Sequence, residues 1–316
     1  MRKIEQIWDK SWGEISHAFR RPAMLGCLAV VAICLLARPT LLRADAAEER
    51  AADAVKKAGG FADGPDGVPG RPIVSIELSL SKANDQTLKE LADLKSLKSL
   101  KLAYCPVSDQ GLKALGGIAS LEELDLQDTK VTDAGLPHLR GLTNLKSLGL
   151  WHTAITDQGL ASLSGMKALQ HLSLKSTKVT DAGLKALAEC KALEDLDLGN
   201  TAVTGPGLAS LRGLTLHKLG LFKTGLSDAG MKNVAAFKHL QSLALGRTKI
   251  TDAGVKELAP LNSLESIGFE QDDITDASLR VLAGIKTLKS LYIRDTKATE
   301  AGIEKFKHAV PECEVY

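Results

Sequence analysis

Ser147, His171 and Asp195 follow one another at intervals of 24 residues. They are the three side chains a nucleophilic relay uses: a hydroxyl to attack, an imidazole to take its proton, and a carboxylate to orient the imidazole. The interval equals a period that runs through most of the chain, so all three occupy position 3 of consecutive units. They should sit side by side on parallel strands about 4.8 Å apart. Against catalysis, position 3 is polar in every unit, side chains on neighbouring strands project in parallel, and N–H groups tied into a sheet ladder are not free to form an oxyanion hole. The row is expected to be a product of the period, and a serine hydrolase is kept only as an alternative.

Other polar residues recur for structural reasons. Asp stands at position 13 in eight of the ten units, among them Asp133, Asp157, Asp181 and Asp252, two residues before a recurring Gly. A calcium site would need an oxygen-rich loop around each Asp, which is missing. A Thr-Asp pair just ahead of a helix suits N-capping and the helix dipole. The Thr column at position 9 is expected to satisfy backbone groups where the strand ends. His152 and His171 fall on adjacent strands but at opposite ends, so they cannot share a metal. Cys105, Cys190 and Cys313 are too scattered for a disulfide framework or a zinc motif. No metal and no cofactor are expected.

The elements that hold these residues come from one 24-residue phrase, clearest in 121–144, LEELDLQDTKVTDAGLPHLRGLTN. Units open at Ile73, Leu97, Leu121, Leu145, Leu169, Leu193, Leu216, Leu240, Leu264 and Leu288, with one step a residue short. Positions 1, 4, 6, 11, 16, 19 and 22 are almost always apolar, as Leu121, Leu124, Leu126, Val131, Leu136, Leu139 and Leu142 show. Positions 4 and 6 alternate as in a strand, and 16, 19 and 22 recur at helical spacing. Each unit is a short strand, a turn and a helix, able to bury its apolar face only against its neighbours.

On the strength of L-x-x-L-x-L followed by T-x-[IV]-T-D-x-G-L-x-x-L, the sequence resembles the leucine-rich repeat family. Within it, the chain is most similar to the cysteine-containing class of F-box substrate receptors and to related bacterial arrays. That class usually carries Cys at position 9. Here Thr129, Thr153, Thr177, Thr201, Thr224, Thr248 and Thr296 hold the position, and Cys105 keeps the thiol. The resemblance implies an α/β solenoid, a horseshoe of ten repeats with a parallel concave sheet and convex helices. It implies binding to a partner and leaves the partner open, because the fold serves many functions.

The chain is 44% hydrophobic and 25% charged, with 40 Lys and Arg against 38 Asp and Glu. Without the first 46 residues, 33 basic groups face 34 acidic ones. A phosphate-binding surface needs a basic excess, so nucleic acid is not an expected partner. Residues 1–46 read as an export signal or signal anchor. An uncharged run, 23–37, follows Arg20 and Arg21 and precedes Ala44-Asp45-Ala46, an A-x-A cleavage pattern. The run is short for a span of about 20 residues, which favours cleavage before Ala47. A membrane contact is expected only through this segment if it is retained. Either outcome makes the repeats extracytoplasmic, secreted or periplasmic or tethered by the anchor, since the basic flank stays inside. Residues 47–72 read as a capping helix and a Gly/Pro-rich turn region, 73–311 as the repeats, and 312–316 as a C-terminal edge strand.

Positions 3, 5, 7 and 8 leave the core and face solvent on the concave sheet, where packing does not select them. Position 7 carries Trp151, Lys175 and Phe222; position 8 carries Tyr104, His152, Lys223 and Arg247; position 5 carries Asp125, Asp197 and Tyr292; position 3 carries His171. Trp151 and Phe222 stand three strands apart, roughly 14 Å. In a chain with 4% aromatics, large rings at solvent positions have no core explanation and match the anchors enriched at binding hot spots. Mixed charge around them favours a protein or peptide ligand. The expected function is non-catalytic partner binding through this face. A ubiquitin-ligase-type substrate adaptor is a weaker alternative, because it needs an F-box ahead of the repeats. A structural envelope spacer is another.

Overall fold

A computed structural model describes residues 46–63 and 72–316. The proposed export segment lies outside the described residues. Among the described residues twelve strands form one sheet in strict chain order. They are β1 (Phe61–Asp63), β2 (Ser75–Glu77), β3 (Ser99–Lys101), β4 (Glu123–Asp125), β5 (Ser147–Gly149), β6 (His171–Ser173), β7 (Asp195–Asp197), β8 (Lys218–Gly220), β9 (Ser242–Ala244), β10 (Ser266–Gly268), β11 (Ser290–Tyr292) and β12 (Glu314–Val315). All neighbours pair in parallel except β1, which runs antiparallel to β2. Parallel neighbours need a long crossover, and here the rest of each unit supplies it.

From β2 to β11 each strand takes positions 3 to 5 of its unit, and register is one unit per strand: Leu124, Leu148, Leu172 and Leu196 stand opposite one another. The seven apolar positions of the clearest unit, Leu121 through Leu142, are at most 1% exposed. Every unit thus contributes one layer to a continuous core. The helical stretch differs from the single α-helix expected. It is α-helical at Asp85–Leu91, Asp109–Leu115, Asp228–Val234 and Asp276–Leu282, but 3₁₀ at Leu136–Gly141, Leu184–Glu189 and Pro206–Leu211. Two units begin as α and finish as 3₁₀, Asp157–Leu160 into Ala161–Leu163 and Asp252–Val255 into Lys256–Leu258. The apolar positions 16, 19 and 22 are spaced by three, which is the 3₁₀ period.

Position 8 makes the turn out of the strand. Leu80, Tyr104, Asp128, His152, Ser176, Asn200, Lys223, Arg247, Gln271 and Asp295 all have φ between 52° and 62°. The N–H of each through Gln271 still donates to the next unit, as His152 does to the Lys175 carbonyl at 2.9 Å, so the ladder continues through the left-handed residue. Left-handed backbone is unfavourable for most side chains, and Leu80 adopts it while 79% exposed. Leu80→Asn is expected to stabilise the fold by roughly 1 kcal/mol, read as a higher urea midpoint, because Asn tolerates this region best after Gly.

The Thr-Asp pair caps through its Thr, with the Asp in the first turn, and the sequence reading is corrected only for where the Asp side chain reaches. In most units the cap is the Thr or Ser just before it: Thr156 Oγ accepts from the Gln158 amide at 3.2 Å. The Asp reaches to the next unit instead. Asp133 Oδ1 accepts from the Thr156 amide at 2.8 Å and its Oδ2 from the Thr156 hydroxyl at 2.5 Å. The same pair of bonds joins Asp109 to Thr132, Asp157 to Thr180, Asp228 to Thr251 and Asp252 to Thr275. The recurring Gly follows from this contact: a Cβ on Gly159 would lie 2.3 Å from Asp133 Oδ1.

Apart from Thr248, the Thr column behaves as expected. Thr153 Oγ1 donates to the Leu150 carbonyl at 2.6 Å, and Thr177 and Thr201 repeat the bond to Leu174 and Leu198.

The ends are covered. A helix over Ala46–Ala58 lays Ala51 and Val55 on the core, and its buried Glu48 accepts the Ile73 amide at 2.7 Å. Gly59, at φ 90°, turns the chain out of that helix while the Gly60 amide returns to the Val55 carbonyl. The stretch after it contains β1, a strand, where the sequence suggested turns alone. At the other end a helix over Glu300–Ala309 leads to β12. Among the described residues no helix is long and apolar enough to cross a membrane.

Candidate functional site

The position 3 row assembles only in part. Ser147, His171 and Asp195 are register partners on β5, β6 and β7, and His171 Nδ1 lies 3.1 Å from Asp195 Oδ2. Asp195 is 3% exposed and is shared with Lys218 Nζ at 3.2 Å. Among the described residues the pairing seen along this row runs from His171 through Asp195 to Lys218, and Ser147 is not seen in it. One position earlier, at position 2, mixed charges neutralise one another across units: Lys146 contacts Glu122 at 2.6 Å and holds its carboxyl below the usual range, helped by Lys98 at 3.0 Å.

Position 5 carboxylates serve the backbone. Asp125 accepts the Gln127 amide at 3.0 Å and Asp197 the Gly199 amide at 2.8 Å. Each needs a small neighbour on the next strand: a Cβ on Gly149 would meet Asp125 Oδ1 at 2.7 Å, and one on Gly220 would meet Asp197 Oδ1 at 2.5 Å. Burial raises the Asp125 pKa above the usual carboxylate value. Both residues, expected to face a partner, also hold their own strand exit.

Trp151 and Phe222 are half-buried rather than fully exposed. Lys175, buried on the next strand, sets Nζ 4.5 Å from the centre of the Trp151 ring, and Arg247 sets its guanidinium carbon 5.7 Å from the centre of Phe222. Each aromatic is thus covered by a cation from the following unit, an arrangement in which the ring quadrupole attracts the charge. Four of the residues expected at the site are brought together as two aromatic–cation pairs.

The position 8 residues line the outer margin. Tyr104 is 47% exposed, with its hydroxyl accepting from Gln127 Nε2 at 2.7 Å. His152, exposed, pairs with Asp128 at 2.8 Å, and Lys223 is exposed. Tyr292 departs from expectation. It is 8% exposed because the ring of Tyr316 stacks on it at 4.8 Å, so its face is used to close the end of the array.

Sequence reasoning missed Glu270 and Asp272. Asp272 replaces Thr at position 9 of its unit and is 3% exposed; Glu270 is 8% exposed. Asp272 Oδ1 draws both the Thr248 amide and hydroxyl, at 2.5 and 3.1 Å. Its Oδ2 and Glu270 Oε1 are buried without a hydrogen-bond partner among the described residues. Burial pushes both pKa values up, that of Asp272 to about 7. The gap in the Thr column was the signal that could have found them. Among the described residues no group of three or more His, Cys, Asp or Glu could hold a metal.

The leucine rich repeat family matches residues 143–203 through one of its models and 93–116, 118–136 and 238–259 through another. An internalin of Listeria monocytogenes shares the fold, with a TM-score of 0.59 and 21% identity, covering 86% of this chain and 88% of that one. A leucine-rich repeat protein of Leptospira interrogans shares it with a TM-score of 0.53 and 20% identity, over 73% of this chain and 62% of that one. Identities this low speak for the fold alone. No curated protein matches significantly. The repeat motif, the parallel ladder and the family matches agree that the fold is a leucine-rich repeat solenoid.

Proposed function

We propose that this is an exported, non-catalytic binding protein that recognises a protein or peptide partner on the solvent-side face of its sheet. The observation that carries the reading is the pair of aromatic–cation contacts, Trp151 with Lys175 and Phe222 with Arg247. None of the four side chains is required by the core, and aromatic and Arg residues dominate binding energy where they occur at interfaces. Export rests on the apolar run 23–37 with its basic flank.

The test is affinity capture from the native envelope fraction by the full chain, beside a variant carrying Trp151→Ala and Phe222→Ala. One partner is expected to be retained by the first and reduced at least about tenfold by the second, since truncating an interface anchor costs about 2 kcal/mol or more. Circular dichroism should show both folded. Equal capture by both would place recognition on another surface.

A further inference from the structure

Toward its C-terminal half the sheet face has a floor of small residues. Gly220, Ala244 and Gly268 are register partners at position 5, and Gly246 follows Phe222 at position 7 one strand on. The Glu270 carboxylate lies across this floor. A Cβ on Gly246 would come within 2.7 Å of Glu270 Oε2, and one on Gly268 within 3.1 Å of the same oxygen. Aromatic rings bound the depression. Phe222 stands at one side, with the Arg247 guanidinium turned back over its ring. Tyr292, the register partner of Gly268, stands at the other, stacked on Tyr316.

One oxygen of the acid in this depression is unpartnered among the described residues. Glu270 is more than nine-tenths buried, and that oxygen is its Oε1. Two residues on, Asp272 adds a second buried oxygen in the same state. Taking a carboxylate out of water without a partner is costly, and a cation brought to it removes that cost. A lysine or arginine side chain meets both features at once, because its apolar stem packs on bare backbone and aromatic edges while its charged head reaches the acid.

We propose that Glu270, over Gly246 and Gly268 and between Phe222 and Tyr292, is the subsite that receives a lysine or arginine side chain of the bound partner. This rests on the reading of the sheet face as the binding surface. The other occupants of such a face, an acidic peptide or none, are outcomes of the test.

The full chain is titrated by calorimetry at pH 8 with an alternating glycine–lysine decapeptide and with its glycine–glutamate counterpart. The lysine peptide is expected to bind and the glutamate peptide not to. Glu270→Gln, which keeps the shape and removes the charge, is expected to weaken lysine-peptide binding at least about tenfold. Asp272→Asn is expected to weaken it several-fold, and it serves as the second variant should Glu270→Gln fold poorly. Binding of the lysine peptide equally by the native chain and both variants would overturn the subsite. If Trp151→Ala then abolished that binding, the face would stand as the binding surface without this subsite. Failure of the lysine peptide to bind the native chain, or equal binding of both peptides, would also overturn it.

Discussion

Asp272→Asn is expected to stabilise the protein at pH 8 by about 2 kcal/mol and at pH 5 by less than half as much. The buried carboxyl of Asp272 has its pKa raised from 3.8 to about 7, first by burial and then by the neighbouring Glu270 and Asp273 charges, against the Thr248 amide and hydroxyl that favour ionisation. Between those two values the folded chain holds a proton that the unfolded chain has released. Stability therefore falls as pH rises from about 4 to 7 and stays low above that. Asn keeps Oδ1 for Thr248 and carries no charge to strand, although its amide must find a partner in place of Oδ2, which trims the gain. Groups with lowered pKa, such as Asp181 and Asp252 held by backbone and hydroxyl donors, are ionised throughout this window and do not mask the effect. Urea unfolding of both proteins at the two pH values measures it. An equal difference at pH 5 and pH 8, or a less stable variant at pH 8, would show that Asp272 is not a stranded acid.

The contrast between Asp272 and its column shows what kind of information the sequence carried. A 24-residue period with apolar positions 4, 6 and 11 demanded stacked strands, because a single unit has no second layer to cover Leu124 and Leu126. The hydroxyl column at position 9 was legible for the same reason: a strand exit leaves a carbonyl that Thr153 can reach from three residues away. Contacts between units were harder to read. Asp133 looked like a cap for its own helix because its partner, Thr156, lies in the next unit, and only stacking brings them together. On the sheet face, column arithmetic placed Lys175 beside Trp151, yet not the ammonium over the ring, which depends on rotamers. Tyr292 was read as free because its cover, Tyr316, arrives by way of a two-residue strand whose pairing the repeat does not encode.

The contact between units gives the sharpest test of how the array is held in register. Gly159→Ala is expected to cost about 2–3 kcal/mol, far more than the mild effect of adding a methyl group to an exposed turn. Its Cβ would sit 2.3 Å from Asp133 Oδ1 and 3.1 Å from Leu136 Cδ1, so the carboxylate must leave the Thr156 amide and hydroxyl that it accepts from. Gly159→Ser adds a larger side chain and should nevertheless cost less. Ser278 occupies the equivalent place two units from the C-terminal end, fully buried, and donates through its hydroxyl and amide to Asp252. A serine can replace by hydrogen bonding what it disturbs by bulk, which alanine cannot. Asp133→Ala removes the group that Gly159 exists to admit, so on that background Gly159→Ala should cost under about 1 kcal/mol, leaving a coupling of about 1–2 kcal/mol between the two sites. Urea midpoints of the four proteins close the cycle, with amide exchange at Thr156 reporting where the array opens. Additive effects, or a serine variant weaker than the alanine one, would mean that the glycine is kept for its packing against Leu136 rather than for the carboxylate, and that the Asp–Thr ladder is incidental to register.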